Sequence, residues 1–107
     1  MTADPPGLPA AVRLALAPAG IAERVRLRLS QGWTAKQIWE RLDEAARQEL
    51  LRATGEDQRR AIDRVYRVLL ELSEAGGARR SQVKYTMRLN TKGPRDMLVD
   101  VFVLAGR

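Results

Sequence analysis

Hydrophobic positions recur along this chain first with a helical period and then, near the C-terminus, with a period of two. The clearest helical stretch is 57–75. At about 100° per residue, Ile62, Val65, Leu69 and Leu72 fall on one face of it. Arg60, Arg64 and Arg67 fall together on the opposite face, and Glu71 and Glu74 continue that polar side. Asp57 suits the N-cap, and Gly76-Gly77 offers the left-handed residue that closes such helices. Upstream, Ile21, Val25 and Leu29 recur every four residues and predict a helix over 19–30, with Pro18 just ahead of it and Gln31-Gly32 as its stop. Arg24, Arg26 and Arg28 spread over its outer surface.

A sharper start signal follows. Thr34 and Gln37 have capping-box spacing, and Trp33 and Ile38 stand where a hydrophobic staple closes. A helix therefore begins at Ala35. Two endings fit the pattern: it stops near Leu42 with Asp43 capping a further helix, or it runs on to Ala53. Thr54-Gly55 breaks it in either case.

From Ala78 the period is two. Val83, Tyr85, Met87 and Leu89 alternate with Gln82, Lys84, Thr86 and Arg88, which predicts a half-buried strand with a basic outer face. Residues 90–96, NTKGPRD, read as a turn, and 97–104 as a second strand, apolar on both faces. The N-terminal residues 1–18 hold four of the five prolines and are expected to form a flexible tail, with a short helical turn over 10–17 anchored by Leu14 and Leu16. The expected organisation is thus a tail over 1–18 and one domain over 19–107, mainly α with a C-terminal β-hairpin.

Charge narrows the function. The net charge is +6, and residues 57–107 carry 11 Lys and Arg against 6 Asp and Glu, a net of +5. Such an imbalance marks a partner that is polyanionic, nucleic acid or an anionic membrane surface. Cysteine and histidine are absent, which excludes disulfides, thiolate nucleophiles, thiolate or imidazole metal sites and a Ser-His-Asp triad. Carboxylate pairs such as Asp43-Glu44 and Glu71/Glu74 have the spacing of solvated helix surface and no acid-base partner. Neither an enzyme nor a cofactor is expected. No signal peptide and no run approaching the roughly 18 apolar residues of a membrane helix is seen, so the expected location is cytoplasmic and nucleoid-associated.

The order of helix, capped helix, long helix and hairpin resembles the winged helix-turn-helix class of DNA-binding domains. The resemblance is most specific at Arg64-Val65-Tyr66-Arg67-Val68-Leu69, followed by Leu72, Glu74-Ala75-Gly76 and Ala78-Arg79-Arg80. That stretch is similar to the recognition helix of ferric-uptake-type regulators and penicillinase-type repressors. The segment Trp33-Thr34-Ala35-Lys36-Gln37-Ile38-Trp39 is similar to the start of their second helix. The sequence departs from those families in three ways. It lacks the His and Cys ligands of ferric-uptake regulators, the connection from Leu42 to Val65 is several residues longer, and no separate dimerisation domain of the kind both families possess is read in it.

The resemblance implies that 57–75 enters the major groove and that 78–104 forms a wing. Arg59, Arg60, Arg64 and Arg67 are then the residues placed to reach duplex DNA, since a guanidinium fork binds guanine or phosphate in bidentate fashion. Tyr66 is a further contact that the resemblance implies; core packing is the alternative. Lys84, Arg88, Lys92 and Arg95 are the wing cations, for phosphate or the minor groove. Trp33 and Trp39 are expected in the core rather than as base-stacking platforms. The expected function is a small double-stranded DNA-binding transcriptional regulator. A protein-interaction adaptor is the alternative, as is a non-specific nucleoid or RNA binder. The apolar last strand or the 19–30 helix suits a homodimer.

Overall fold

The computed structural model describes residues 4–16, 32–89 and 93–105, and within the hairpin it describes side chains for 78–84 and 97–104. The expected 19–30 helix lies outside the described residues. Those described form helices α1 (Leu8–Ala15), α2 (Ala35–Arg41), α3 (Glu44–Ala53) and α4 (Gln58–Glu74), then antiparallel strands β1 (Ala78–Leu89) and β2 (Gly93–Leu104). The topology is winged-helix-like.

The expectation of a tail at the N-terminus is corrected over 8–16. Pro9 stands in the first turn of α1, where its missing N–H costs nothing. Leu8, Val12, Ala15 and Leu16 then fall on one side and are buried. Burial of the two leucines alone contributes about 3–6 kcal/mol of transfer free energy, enough to hold an eight-residue helix that has little stability alone. Leu14 is not an anchor: it faces solvent at 75 % exposure.

The two endings considered for the second helix resolve at Leu42. Leu42 and Asp43 are both extended, and the Asp43 carboxylate accepts the Ala46 N–H at 2.7 Å as the cap of a new helix. The capping box forms as predicted. The Thr34 N–H donates to Gln37 Oε1 at 2.9 Å, and the Gln37 N–H donates to Thr34 Oγ1 at 3.1 Å. Trp33 and Ile38 flank the box and are both buried. α3 fills the long connection between α2 and α4 and docks through Leu50. It ends in a Schellman turn: the Glu56 N–H reaches the Leu51 carbonyl at 2.7 Å, with Gly55 at φ 72°.

α4 is the longest helix. Its Asp57 cap accepts the Arg60 N–H, and its inner side holds buried Ala61, Val65, Val68 and Leu69. Ile62, Tyr66, Leu70 and Leu72 are half-buried against the same core. The inner stripe is thus broader than the four positions expected. Gly76, at φ 85°, closes the helix, and the Gly77 N–H returns to the Leu72 carbonyl at 2.8 Å.

The hairpin pairs in register from Ala78↔Leu104 to Leu89↔Gly93. β2 therefore begins four residues before the expected 97, and residues 93–96 belong to a strand rather than to a seven-residue turn. Its base is fixed by Phe102, which is fully buried, and by Ala78. On the edge of β2 away from β1, Trp33 and Phe102 exchange two backbone hydrogen bonds, each 2.8 Å. This bridge ties the start of α2 to the base of the hairpin.

Candidate nucleic-acid interface

The inner stripe of α4 fixes which of its residues look outward. Arg60, Arg64 and Arg67 line one open groove of about 510 Å³ together with Asp63 of the same helix and Ala53, Thr54 and Gly55 from the end of α3. The wall from α3 is pinned by hydrogen bonds. The Thr54 hydroxyl is buried and donates to the Leu50 carbonyl at 2.8 Å. The turn after it is held by the Gly55–Glu56 geometry described above. The three arginines predicted to share a face are thus brought to one groove.

Their surroundings differ. Arg60 is exposed and lies 3.7 Å from Asp57, a loose pair with its side chain 74 % exposed. Arg64 is more enclosed and lies 3.4 Å from the Asp4 carboxylate. Arg67 is exposed. Arg59, expected beside them, is exposed but sits about 100° around the helix from Arg60, and it does not line the groove. Asp63 joins the site beyond the arginines expected there, and its position three residues after Arg60 and four before Arg67 is the sequence signal for it.

Tyr66 is turned to an internal task. Its hydroxyl donates to Asp100 Oδ2 at 2.5 Å, and its ring meets Phe102 edge-on with centroids 6.1 Å apart. Asp100 also accepts from Arg80 at 2.9 Å and from Gln82 at 3.3 Å. The cluster joins α4 to both strands of the hairpin. The Tyr66 hydrogen bond, aided by Arg80 and Gln82, holds the Asp100 carboxyl below the usual carboxylate range, against the opposing effect of burial. The same hydrogen bond raises Tyr66 above the ordinary phenol range, with burial adding to it. Arg80 is likewise raised, chiefly by its hydrogen bond to Asp100. The signal for Asp100 in the sequence is that it is the lone carboxylate of the otherwise apolar stretch 97–104.

Of the wing cations, Lys84 is exposed on the hairpin face that also carries Arg80, Gln82 and Asp100. Arg88 pairs in register with Pro94, and Arg95 with Met87, their side chains lying outside the described ones. Lys92 lies outside the described residues. Trp33 and Trp39 are buried, at 8 % and 5 % exposure, which leaves no open ring face for a base. The Arg41 guanidinium lies 4.0 Å from the Trp33 ring centroid, and its Nε–H donates to the Ala15 carbonyl at 2.8 Å, capping α1.

Among the described residues no helix is long and apolar enough to cross a membrane, and no acidic cluster is arranged to hold a metal ion. No family model, curated protein or solved structure matches the chain.

Proposed function

We propose that the protein binds double-stranded DNA as a small transcriptional regulator of the winged helix-turn-helix type, cytoplasmic and nucleoid-associated, acting without catalysis. α4 enters the major groove with Arg60, Arg64 and Arg67, and Arg59 meets a flanking phosphate. The hairpin, with Lys84, Arg88, Lys92 and Arg95, follows the backbone beside it. Tyr66 positions the hairpin against α4 and touches no base. What supports this reading above all is the convergence of three arginines from one helix face on a single open groove, backed by a buried stripe on the other side. A guanidinium row in such a groove suits both guanine edges and phosphate oxygens.

Selection from a random duplex library, followed by salt titration of the enriched sequence, tests the proposal. The expected result is a defined motif and a log–log salt slope of about −3 or steeper, one unit for each arginine-neutralised phosphate. Affinity that barely responds to salt would sink it, and competition by random duplex or RNA at equal strength would move the assignment to non-specific nucleic-acid binding.

One observation favours a second reading, a protein-interaction module or homodimer. Met97 and Leu98 are 48 % and 68 % exposed, adjacent on β2. Light scattering and a pull-down after nuclease treatment separate this reading from the first.

A further inference from the structure

We propose that Asp4 occupies, in the free protein, the seat that a DNA phosphate takes on Arg64, so that the N-terminal segment brakes binding at the arginine groove. The inference rests on the DNA-binding reading and adds its regulation. Arg64 is the central member of the row, and its Nη1 lies 3.4 Å from Asp4 Oδ1. The two side chains are 31 % and 36 % exposed, so the pair is shielded on one side yet open to an incoming ligand. Among the described residues, neither Arg60 nor Arg67, which line the same groove, forms an ion pair with another element.

The placement of Asp4 is built. The Leu8 N–H donates to the Pro5 carbonyl at 3.0 Å, which closes a turn directly after Asp4. α1 is anchored by Leu8, Val12 and Ala15 and packs on α4. The carboxylate is thus carried to α4 by a fixed helix. A carboxylate and a phosphodiester offer the same kind of acceptor oxygens to a guanidinium. A phosphate approaching Arg64 therefore competes with Asp4 for the guanidinium. Partly exposed ion pairs of this kind are weak and salt-screened, so the brake is graded, reducing affinity about two- to fivefold at low salt.

The test uses the full chain and a random-sequence 20-base-pair duplex, with affinity read by fluorescence anisotropy across a salt series. Asp4→Asn is expected to bind two- to fivefold tighter than the wild type at low salt, with the gain shrinking as salt rises. The gain is expected to vanish in an Arg64→Ala background. Glu49→Gln, at an exposed position on α3, makes the same change of charge and is expected to leave affinity nearly unchanged. Equal gains from Asp4→Asn and Glu49→Gln, or a gain that survives Arg64→Ala, would overturn the brake while leaving the DNA-binding reading in place. A gain confined to inorganic phosphate, followed by amide shifts at Arg64, would overturn it in favour of a small-anion seat. If no variant binds duplex even at low salt, the DNA-binding reading itself fails and the brake falls with it.

Discussion

Tyr66 and Asp100, 34 positions apart in sequence, meet through a 2.5 Å hydrogen bond that fixes the long helix against the second strand of the hairpin. The carboxylate is 13 % exposed and has two further donors, Arg80 and Gln82. Losing the tyrosine hydroxyl therefore removes the shortest of its three hydrogen bonds without leaving the charge unpaired. Tyr66→Phe keeps the edge-on contact with Phe102 and is expected to cost about 1–2 kcal/mol of unfolding free energy, measured by urea denaturation. An unchanged midpoint would mean that the hydrogen bond contributes nothing to joining helix and hairpin.

The same pair sets a pH dependence with two arms. Asp100 is depressed in the folded state, so its contribution is present above the unfolded carboxyl value near 4 and is lost as pH falls through the lower folded value. Tyr66 is raised, so its contribution is present below the unfolded phenol value near 10 and is lost as pH rises toward the higher folded value. Stability is expected to fall at both ends, and Tyr66→Phe is expected to abolish the alkaline arm due to this residue and flatten the acid one. Denaturation midpoints from pH 2 to pH 11 for both proteins check this, and superimposable curves would refute it.

Gly32 lies so close to Phe102 that an added Cβ would stand 2.7 Å from its carbonyl oxygen and 2.9 Å from its carbonyl carbon and amide nitrogen. All three atoms are backbone, so no side chain can swing aside. Gly32→Ala has to push the Trp33–Phe102 bridge apart. The expected cost is about 2–3 kcal/mol, the loss of two net hydrogen bonds with added strain. Thermal melting measures it, and a change under about 0.5 kcal/mol would mean that the bridge is slack.

Much of this architecture is written locally. The Thr34/Gln37 box, the Asp43 and Asp57 caps and the Gly76 stop each act over three or four residues, so side chain and spacing are enough to place them. The parts that sequence alone misplaces depend on remote partners. α1 looks like a proline-rich tail because its helix is short and its anchors are few; only the core supplied by other helices holds it. Residues 93–96 carry a Gly-Pro turn signal, and pairing with β1 overrides it. The arginine row follows from helical period alone. Asp4 beside Arg64 and Asp100 beside Tyr66 do not, since no periodicity relates residues 60 or 34 positions apart.

Glu56 holds a φ of 60° directly after Gly55 at 72°, so two left-handed residues run in succession between α3 and α4. A residue with a Cβ pays about 1–2 kcal/mol for that conformation. Glu56→Gly removes the strain and retains the Glu56 amide bond to the Leu51 carbonyl, at the cost of a looser unfolded chain. The balance is a gain of about 0.5–1 kcal/mol, read as a rise of several degrees in Tm. A lower Tm would show that the Glu56 side chain stabilises this turn through some other interaction.

The groove separates arginines that composition treats alike. Arg60 and Arg67 line it, whereas Arg59 projects about 100° away from Arg60 on the same helix. All three are exposed, so truncating any of them is expected to shift folding stability by no more than about 0.5 kcal/mol. Any difference in binding then reports position alone. Arg60→Ala and Arg67→Ala are each expected to cost about 1–3 kcal/mol against the selected duplex and to relax base preference, while Arg59→Ala weakens all sequences alike and flattens the salt slope by about one. Binding isotherms on the selected and a scrambled duplex at three salt concentrations distinguish the two behaviours. If the three variants lose affinity equally on both duplexes, net charge rather than the groove governs binding, and α4 does not read bases.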